Sequence, residues 1–171
     1  SIASDTEGYL YVVDLRNHRV QKFAGSGSFV TQWSTIQSGD ELDAPFAVTV
    51  SRTGIVYVSQ TEQDLRIEMY ARDGRFLGQW GPAGVLPGEV DSPIALTTDA
   101  AGNVYISDTS PSSGLDDHVS KFTGDGVFVT RWGVRGTAPG TFRTPYGLGF
   151  DSSGDLYVVD HHNFRIQKFA P

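Results

Sequence analysis

The chain has no cysteine among its 171 residues, which excludes disulfides, thiolate zinc sites, iron–sulfur clusters and cysteine nucleophiles. Basic residues are few: 13 Lys and Arg stand against 20 Asp and Glu, for a net charge of -7. That balance disfavours binding to a phosphate backbone, which needs clustered Lys and Arg, and it repels anionic membranes. No apolar run approaches the roughly 18 residues of a membrane helix. The chain starts at Ser1 without Met and shows no charged-then-apolar signal, which reads as a processed or excised piece. Helical periodicity is absent, and so are a Gly-x-Ser-x-Gly elbow, a phosphate loop and a catalytic carboxylate pair. The expectation is a protein without cofactor, nucleic acid or membrane among its partners.

What the chain does have is glycine, aromatics and a repeat. Gly154 to Phe169 reads GDLYVVDHHNFRIQKF, and Gly8 to Phe23 reads GYLYVVDLRNHRVQKF. Two further copies start at Gly54 and Gly102, so the steps between copies are 46, 48 and 52 residues. Trp33, Trp80 and Trp132 keep that step, as do Pro45, Pro93 and Pro145. A period of about 40 to 50 residues made of short strands predicts propeller blades.

Four strands are expected per repeat. Strand a follows the proline, as in Phe46 to Val50. Strand b is the alternating segment, as in Leu10 to Val13. Strand c runs from Arg19 to Phe23, and strand d from Phe29 to Trp33. Asp73-Gly74 and Asp125-Gly126 mark c–d hairpins, where glycine supplies a positive φ. The fold class is therefore all-β: a β-propeller of about 3.75 four-stranded blades. The chain forms one segment, with blades over 1–45, 46–93 and 94–145 and a partial blade over 146–171 that lacks strand d. The expectation is an open arc or a fragment rather than a closed four-bladed ring. Two uncovered blade faces would favour self-association.

Leu10-Tyr11-Val12-Val13-Asp14 followed by Asn17-His18-Arg19-Val20-Gln21-Lys22-Phe23 resembles the NHL repeat. The last copy matches at Asp160, Asn163, Arg165 and Ile166 to Phe169, and the Phe128, Trp132, Pro139, Gly140, Phe142 and Pro145 positions also fit. Blade 2 departs from the pattern with Gln60 in place of Asp, and blade 3 has a longer b–c loop and His118 in place of Arg. The resemblance implies a propeller usually built from six blades, about two more than are present. It also implies a choice of roles: protein-interaction module, RNA platform, extracellular sensor, or zinc-dependent lyase acting on peptidyl-hydroxyglycine. The setting it points to is extracytoplasmic, secreted or periplasmic, and bacterial or archaeal.

Strand direction puts the b–c and d–a loops on one face, and these loops vary most, which makes it the expected binding face. Its candidate ligand contacts are Arg16, His18, Phe46, Ile94, Tyr146, His161 and His162. The recurring Asp14, Asp108 and Asp160, with Arg19, Arg66 and Arg165, read as blade structure, because a single catalytic centre needs no repetition. Trp33, Trp80 and Trp132 read as packing between blades.

His161 and His162 are weak zinc candidates. Neighbours in an extended segment point apart, so one of them at most is expected to face the axis. Asp116 and Asp117 are weak calcium candidates in the long loop of blade 3. The favoured function is a non-enzymatic scaffold that binds a protein, peptide or glycan. The alternative is a metal-dependent propeller enzyme, lyase-like or lactonase-like, with RNA binding third.

Overall fold

The computed structural model describes residues 1–34, 44–61, 65–109 and 117–171. These residues form fifteen strands in four antiparallel sheets, arranged as the blades of a β-propeller. Blade 1 holds β1 (Ile2–Ser4), β2 (Leu10–Asp14), β3 (Arg19–Phe23) and β4 (Phe29–Trp33). Blade 2 holds β5 (Pro45–Val50), β6 (Val56–Gln60), β7 (Arg66–Tyr70) and β8 (Phe76–Trp80). Blade 3 holds β9 (Pro93–Thr98), β10 (Val104–Asp108), β11 (His118–Phe122) and β12 (Phe128–Trp132). Blade 4 has three strands: β13 (Pro145–Phe150), β14 (Leu156–Asp160) and β15 (Arg165–Phe169).

Two boundaries differ from the sequence reading by one residue. The innermost strands begin on the prolines themselves, with Pro45 opposite Gln60 and Pro145 opposite Asp160. Proline is tolerated at a strand's first position because the missing N–H is not needed by the ladder. Strand b runs one residue further than expected, to Asp14, Gln60, Asp108 and Asp160, each of which pairs with the first residue of strand c.

The glycines that mark the repeat close the a–b turns. Gly8, Gly54, Gly102 and Gly154 have φ of 84° to 90°. Their N–H groups donate to Asp5, Ser51, Asp99 and Asp151 at 2.9–3.2 Å. A side chain there would strain the backbone. The c–d glycines carry a second demand. A Cβ on Gly74 would lie 2.7 Å from the Trp33 ring, and one on Gly126 would lie 2.3 Å from Trp80. The tryptophans of blades 1 and 2 thus lie on the hairpin turn of the next blade.

The core is interblade. Tyr11, Val13, Val20 and Trp33 of blade 1 meet Val48, Val56, Val58 and Tyr70 of blade 2. Tyr57, Ile67 and Ala47 of blade 2 meet Val104, Ile106 and Phe122 of blade 3. Tyr105 and Val119 of blade 3 meet Leu156 and Val158 of blade 4. Alternation along strand b aims one set of side chains at the preceding blade and the other at the following one. Each fully buried aliphatic side chain stabilises by about 1.5–3 kcal/mol. The following-side face of blade 4 stays exposed, with Tyr157 at 36%, Val159 at 40% and Ile166 at 66%.

Candidate functional site

The innermost strands of the blades converge on a funnel of about 400 Å³. Phe46, Ile94 and Tyr146, each next after the strand-opening proline, line it together with Leu15, Ala47 and Leu148. The Phe46 and Tyr146 rings meet edge to face at 6.4 Å between centroids. Tyr146 lies 5.7 Å from the His161 ring, and His161 lies 4.7 Å from His162. An aromatic path therefore leads from the axis to the rim.

Two imidazoles share that path because of a local turn that the alternation of strand b does not foretell. Leu15–Asn17 and His161–Asn163 are single 3-10 turns, each closed by a left-handed residue, His18 (φ 49°) or Phe164 (φ 53°). The expectation that His161 and His162 sit in an extended segment and point apart is thus corrected. The tight turn sets their rings edge to face. The His162 ring Nδ1 is 2.8 Å from the Thr144 hydroxyl. The main chain locks the same loops together, since His161 N donates to Thr144 O at 3.2 Å and His162 N to Arg143 O at 3.0 Å.

Arg16 and His18 lie exposed in the corresponding loop of blade 1, outside the funnel lining, where Leu15 takes the axial position. Asp117 is buried, and Asp116 lies outside the described residues. Among the described residues, no three His, Asp or Glu side chains converge closely enough to hold a metal ion.

The repeated acids hold the loops of this face. Asp160 is fully buried and accepts from Arg143 N at 2.7 Å, Asn163 at 2.9 Å, Arg165 Nε at 2.8 Å and Gln167 at 3.1 Å. Burial pushes its pKa up, but the Arg143 N–H, the Asn163 amide and Arg165 together hold it below the usual carboxylate range. Arg165 reaches on to the carbonyls of Thr137, Ala138 and Thr141, which fastens the d–a loop to strand c. Asp108 does the same for the preceding loop through Asp91 N at 3.0 Å and Ser92 N at 2.6 Å. Asp14 binds Asn17, Gln21 and Arg19, and its pKa is lowered by Asn17 first and Arg19 next.

In blade 2 the acid and the amide have exchanged places. Gln60 stands at the end of strand b, and Glu68 stands in strand c where blades 1 and 4 have Gln21 and Gln167. Glu68, 1% exposed, accepts from Gln60 at 2.9 Å, Arg66 Nε at 2.9 Å and Tyr70 Oη at 2.6 Å. Burial, then the Glu68 charge, pushes the Tyr70 phenol up.

Sequence reasoning missed a second acidic repeat on the opposite face. Asp5, Asp99 and Asp151 each accept two main-chain N–H bonds of their a–b turn and the hydroxyl of Tyr11, Tyr105 or Tyr157 at 3.0–3.2 Å. The signal was present as a tyrosine six residues after each Asp. Ser51 replaces the acid in blade 2, and Tyr57 donates instead to Gly124 O of blade 3 at 3.0 Å.

The tryptophans lie between blades. The Trp33 ring is 6.2 Å from Tyr11 and 5.8 Å from Tyr70, Trp80 is 4.8 Å from Phe122, and Trp132 is 6.0 Å from Phe169.

Comparison with known proteins agrees with this geometry. Residues 142–169 match the NHL repeat. Human NHL repeat-containing protein 3 is 36% identical over 56 residues, which is 33% of this chain and 16% of that protein. A Bacteroides thetaiotaomicron protein of unknown function superposes with a TM-score of 0.72 at 22% identity, over 99% of this chain and 46% of its own. Virginiamycin B lyase from Staphylococcus aureus superposes with a TM-score of 0.66 at 13% identity, over 98% of this chain and 54% of its own. The chain thus spans about half the length of these solved structures and a smaller part of the human relative. Residues 142–169 thus match the NHL repeat, and the chain that carries them folds as a β-propeller of four blades.

Proposed function

We propose that the chain is a recognition module that binds a protein, peptide or glycan at the axial funnel. The observation that carries this reading is the aromatic path Phe46–Tyr146–His161–His162, which is exposed at its outer end and set on loops held by buried carboxylates. Aromatic faces bind apolar side chains and sugar rings with little loss of conformational entropy, and rigid loops lower the cost of ordering. The residues around the funnel differ from blade to blade, as a site for one asymmetric ligand requires.

Panning the chain against a displayed peptide library and a glycan array supplies ligands. Hydrogen exchange then maps the footprint. Protection at 44–48, 93–96 and 143–162 is the expected result, with affinity lost in Tyr146→Ala. A footprint confined to the a–b and c–d turns overturns the reading.

The alternative is a metal-dependent propeller enzyme. Its support is the fold shared with virginiamycin B lyase and the paired imidazoles of His161 and His162. Stoichiometric zinc that survives dialysis and is lost in His161→Ala would replace the first reading with this one.

A further inference from the structure

Resting on the reading of the axial funnel as a recognition site, we propose that its ligand is an acidic peptide. An apolar side chain of the peptide enters the funnel, and carboxylates beside it meet a cationic rim on blade 4.

The connections that lead into blades 3 and 4 differ in charge. Residues 81–92 carry Glu89 and Asp91 and no Lys, Arg or His. Residues 133–144 carry Arg135 and Arg143 and no acid. The turn that follows strand b in blade 4 adds His161 and His162, again with no acid. Asp160, which precedes that turn, is fully buried, and its carboxylate is taken up by Arg143 N, Asn163, Arg165 and Gln167. The net charge of -7 acts at long range only weakly, because exposed charges are screened beyond about 8 Å at physiological salt. At contact distance the rim governs.

The main chain brings these cationic and imidazole groups together. His162 N donates to Arg143 O at 3.0 Å, and His161 N donates to Thr144 O at 3.2 Å. Arg143, His161 and His162 are all exposed. The Arg143 guanidinium has no hydrogen bond or ion pair among the described residues. The Thr144 hydroxyl fixes the His162 ring through Nδ1 at 2.8 Å, which leaves Nε2 for a ligand. This exposure belongs to the turn itself: blade 1, which blade 2 follows, leaves Leu15, Arg16 and His18 of the same turn exposed as well.

Tyr146 joins the rim to the funnel. Its ring lies 5.7 Å from His161 on one side and 6.4 Å from Phe46 on the other. Phe46, Ile94, Tyr146 and Leu148 line the space of about 400 Å³. A sugar needs hydrogen-bonding side chains around the ring on which it stacks, and of these four only Tyr146 has one. The innermost strands β5, β9 and β13 are edge strands of their sheets among the described residues. Such edges offer main-chain groups to an extended peptide. An apolar residue flanked by carboxylates therefore meets the funnel, the strand edges and the rim at once, and charge complementarity sets its orientation.

The test uses the full chain and three labelled peptides, GSDEFDEGS, its amide counterpart GSNQFNQGS and its basic counterpart GSKRFKRGS. Fluorescence anisotropy should rise to saturation with the acidic peptide, at least about tenfold tighter than with the amide one. Replacing its Phe by Ser should weaken binding at least about tenfold. Arg143→Gln should weaken the acidic peptide about three- to tenfold and leave the amide one unchanged, and Arg143→Glu should turn the preference toward the basic peptide. Equal binding of the acidic and amide peptides, indifference to both Arg143 variants, or no saturation by the acidic peptide up to about 1 mM overturns the proposal. So does a single-stranded RNA that displaces the acidic peptide and binds more tightly. An uncharged peptide or glycan that protects 44–48 and 143–162 and is lost in Tyr146→Ala would overturn the charge assignment while the funnel stands as the recognition site. Protection confined to the opposite face would remove both.

Discussion

Blades 2 and 4 are copies of one unit placed in different surroundings. In blade 2 every residue of β6 is buried, whereas in β14 buried and exposed residues alternate strictly. Ile67 and Ile166 hold the same repeat position, yet the first is 0% exposed and the second 66%. Tyr57 and Tyr157 differ in the same sense, at 1% and 36%. The residue types are alike, so the difference comes from the neighbour. Among the described residues, blade 2 packs a face against a blade on each side, whereas blade 4 packs one face, against blade 3. The hairpin glycines show this from the other end of the chain. Gly74 and Gly126 lie under a tryptophan of the preceding blade, while a Cβ on Gly27 of blade 1 would meet nothing within 4 Å. The repeat is thus a two-sided part, and its second side becomes core only where another blade supplies the partner.

The largest expected effect probes the exchanged acid and amide. Glu68→Gln removes the carboxylate that lies 2.8 Å from the Arg66 guanidinium, in a buried cluster that also holds Gln60 and Tyr70. Breaking a buried pair from one side costs about 3–5 kcal/mol. Adding Gln60→Asp returns the acid to the place it occupies in blade 4, where it binds the strand-c arginine at 2.8 Å. Urea unfolding should show the double variant more stable than the sum of the single ones, with a coupling of about 0.5–3 kcal/mol. Additive losses would mean that the two arrangements are not interchangeable.

A smaller effect tests the neighbour directly. Ile67→Ala should cost about 2–5 kcal/mol, because it opens a cavity between blades 2 and 3. Ile166→Ala should stay within about 0.5 kcal/mol, as exposed substitutions do. Equal losses in thermal unfolding would show that the face of blade 4 is covered in solution, and the contrast between the two blades would fall.

The blades were legible because glycine, proline and tryptophan recur at one step, and each has a local physical reason to do so. The chain's all-β character and the pairing of strands b and c followed from the same alternation. The axial positions of Phe46, Ile94 and Tyr146 could be read because each follows a strand-opening proline. The geometry of His161 and His162 could not. A 3-10 turn of three residues is too short to leave a period, and its left-handed closing residue is Phe164, a type that gives no warning of it. The exchange of Gln60 and Glu68 was written in the sequence, but it shows only when strands b and c are read as one hydrogen-bonded pair. Residues 35–43, 62–64 and 110–116, with Asp116 among them, lie outside the described residues.

That left-handed residue supplies the mildest contrast between the two blades. Blade 4 enters strand c through Phe164, which is 94% exposed at φ 53°, whereas blade 2 enters through Leu65, which is half-buried against the core. A left-handed conformation is costly for a bulky side chain and mild for asparagine. Phe164 buries little, so Phe164→Asn removes that cost and loses almost no packing. It should stabilise the chain by a few tenths to about 1 kcal/mol, read as a small rise in the unfolding midpoint. Leu65→Asn gives up apolar contact with the core, so it should destabilise by about 1 kcal/mol. Opposite signs at one repeat position would show that local conformation governs the entry to strand c in blade 4, and packing in blade 2. Equal signs would remove that distinction, and with it the view that the short turn carrying His161 and His162 is held at the expense of a strained neighbour.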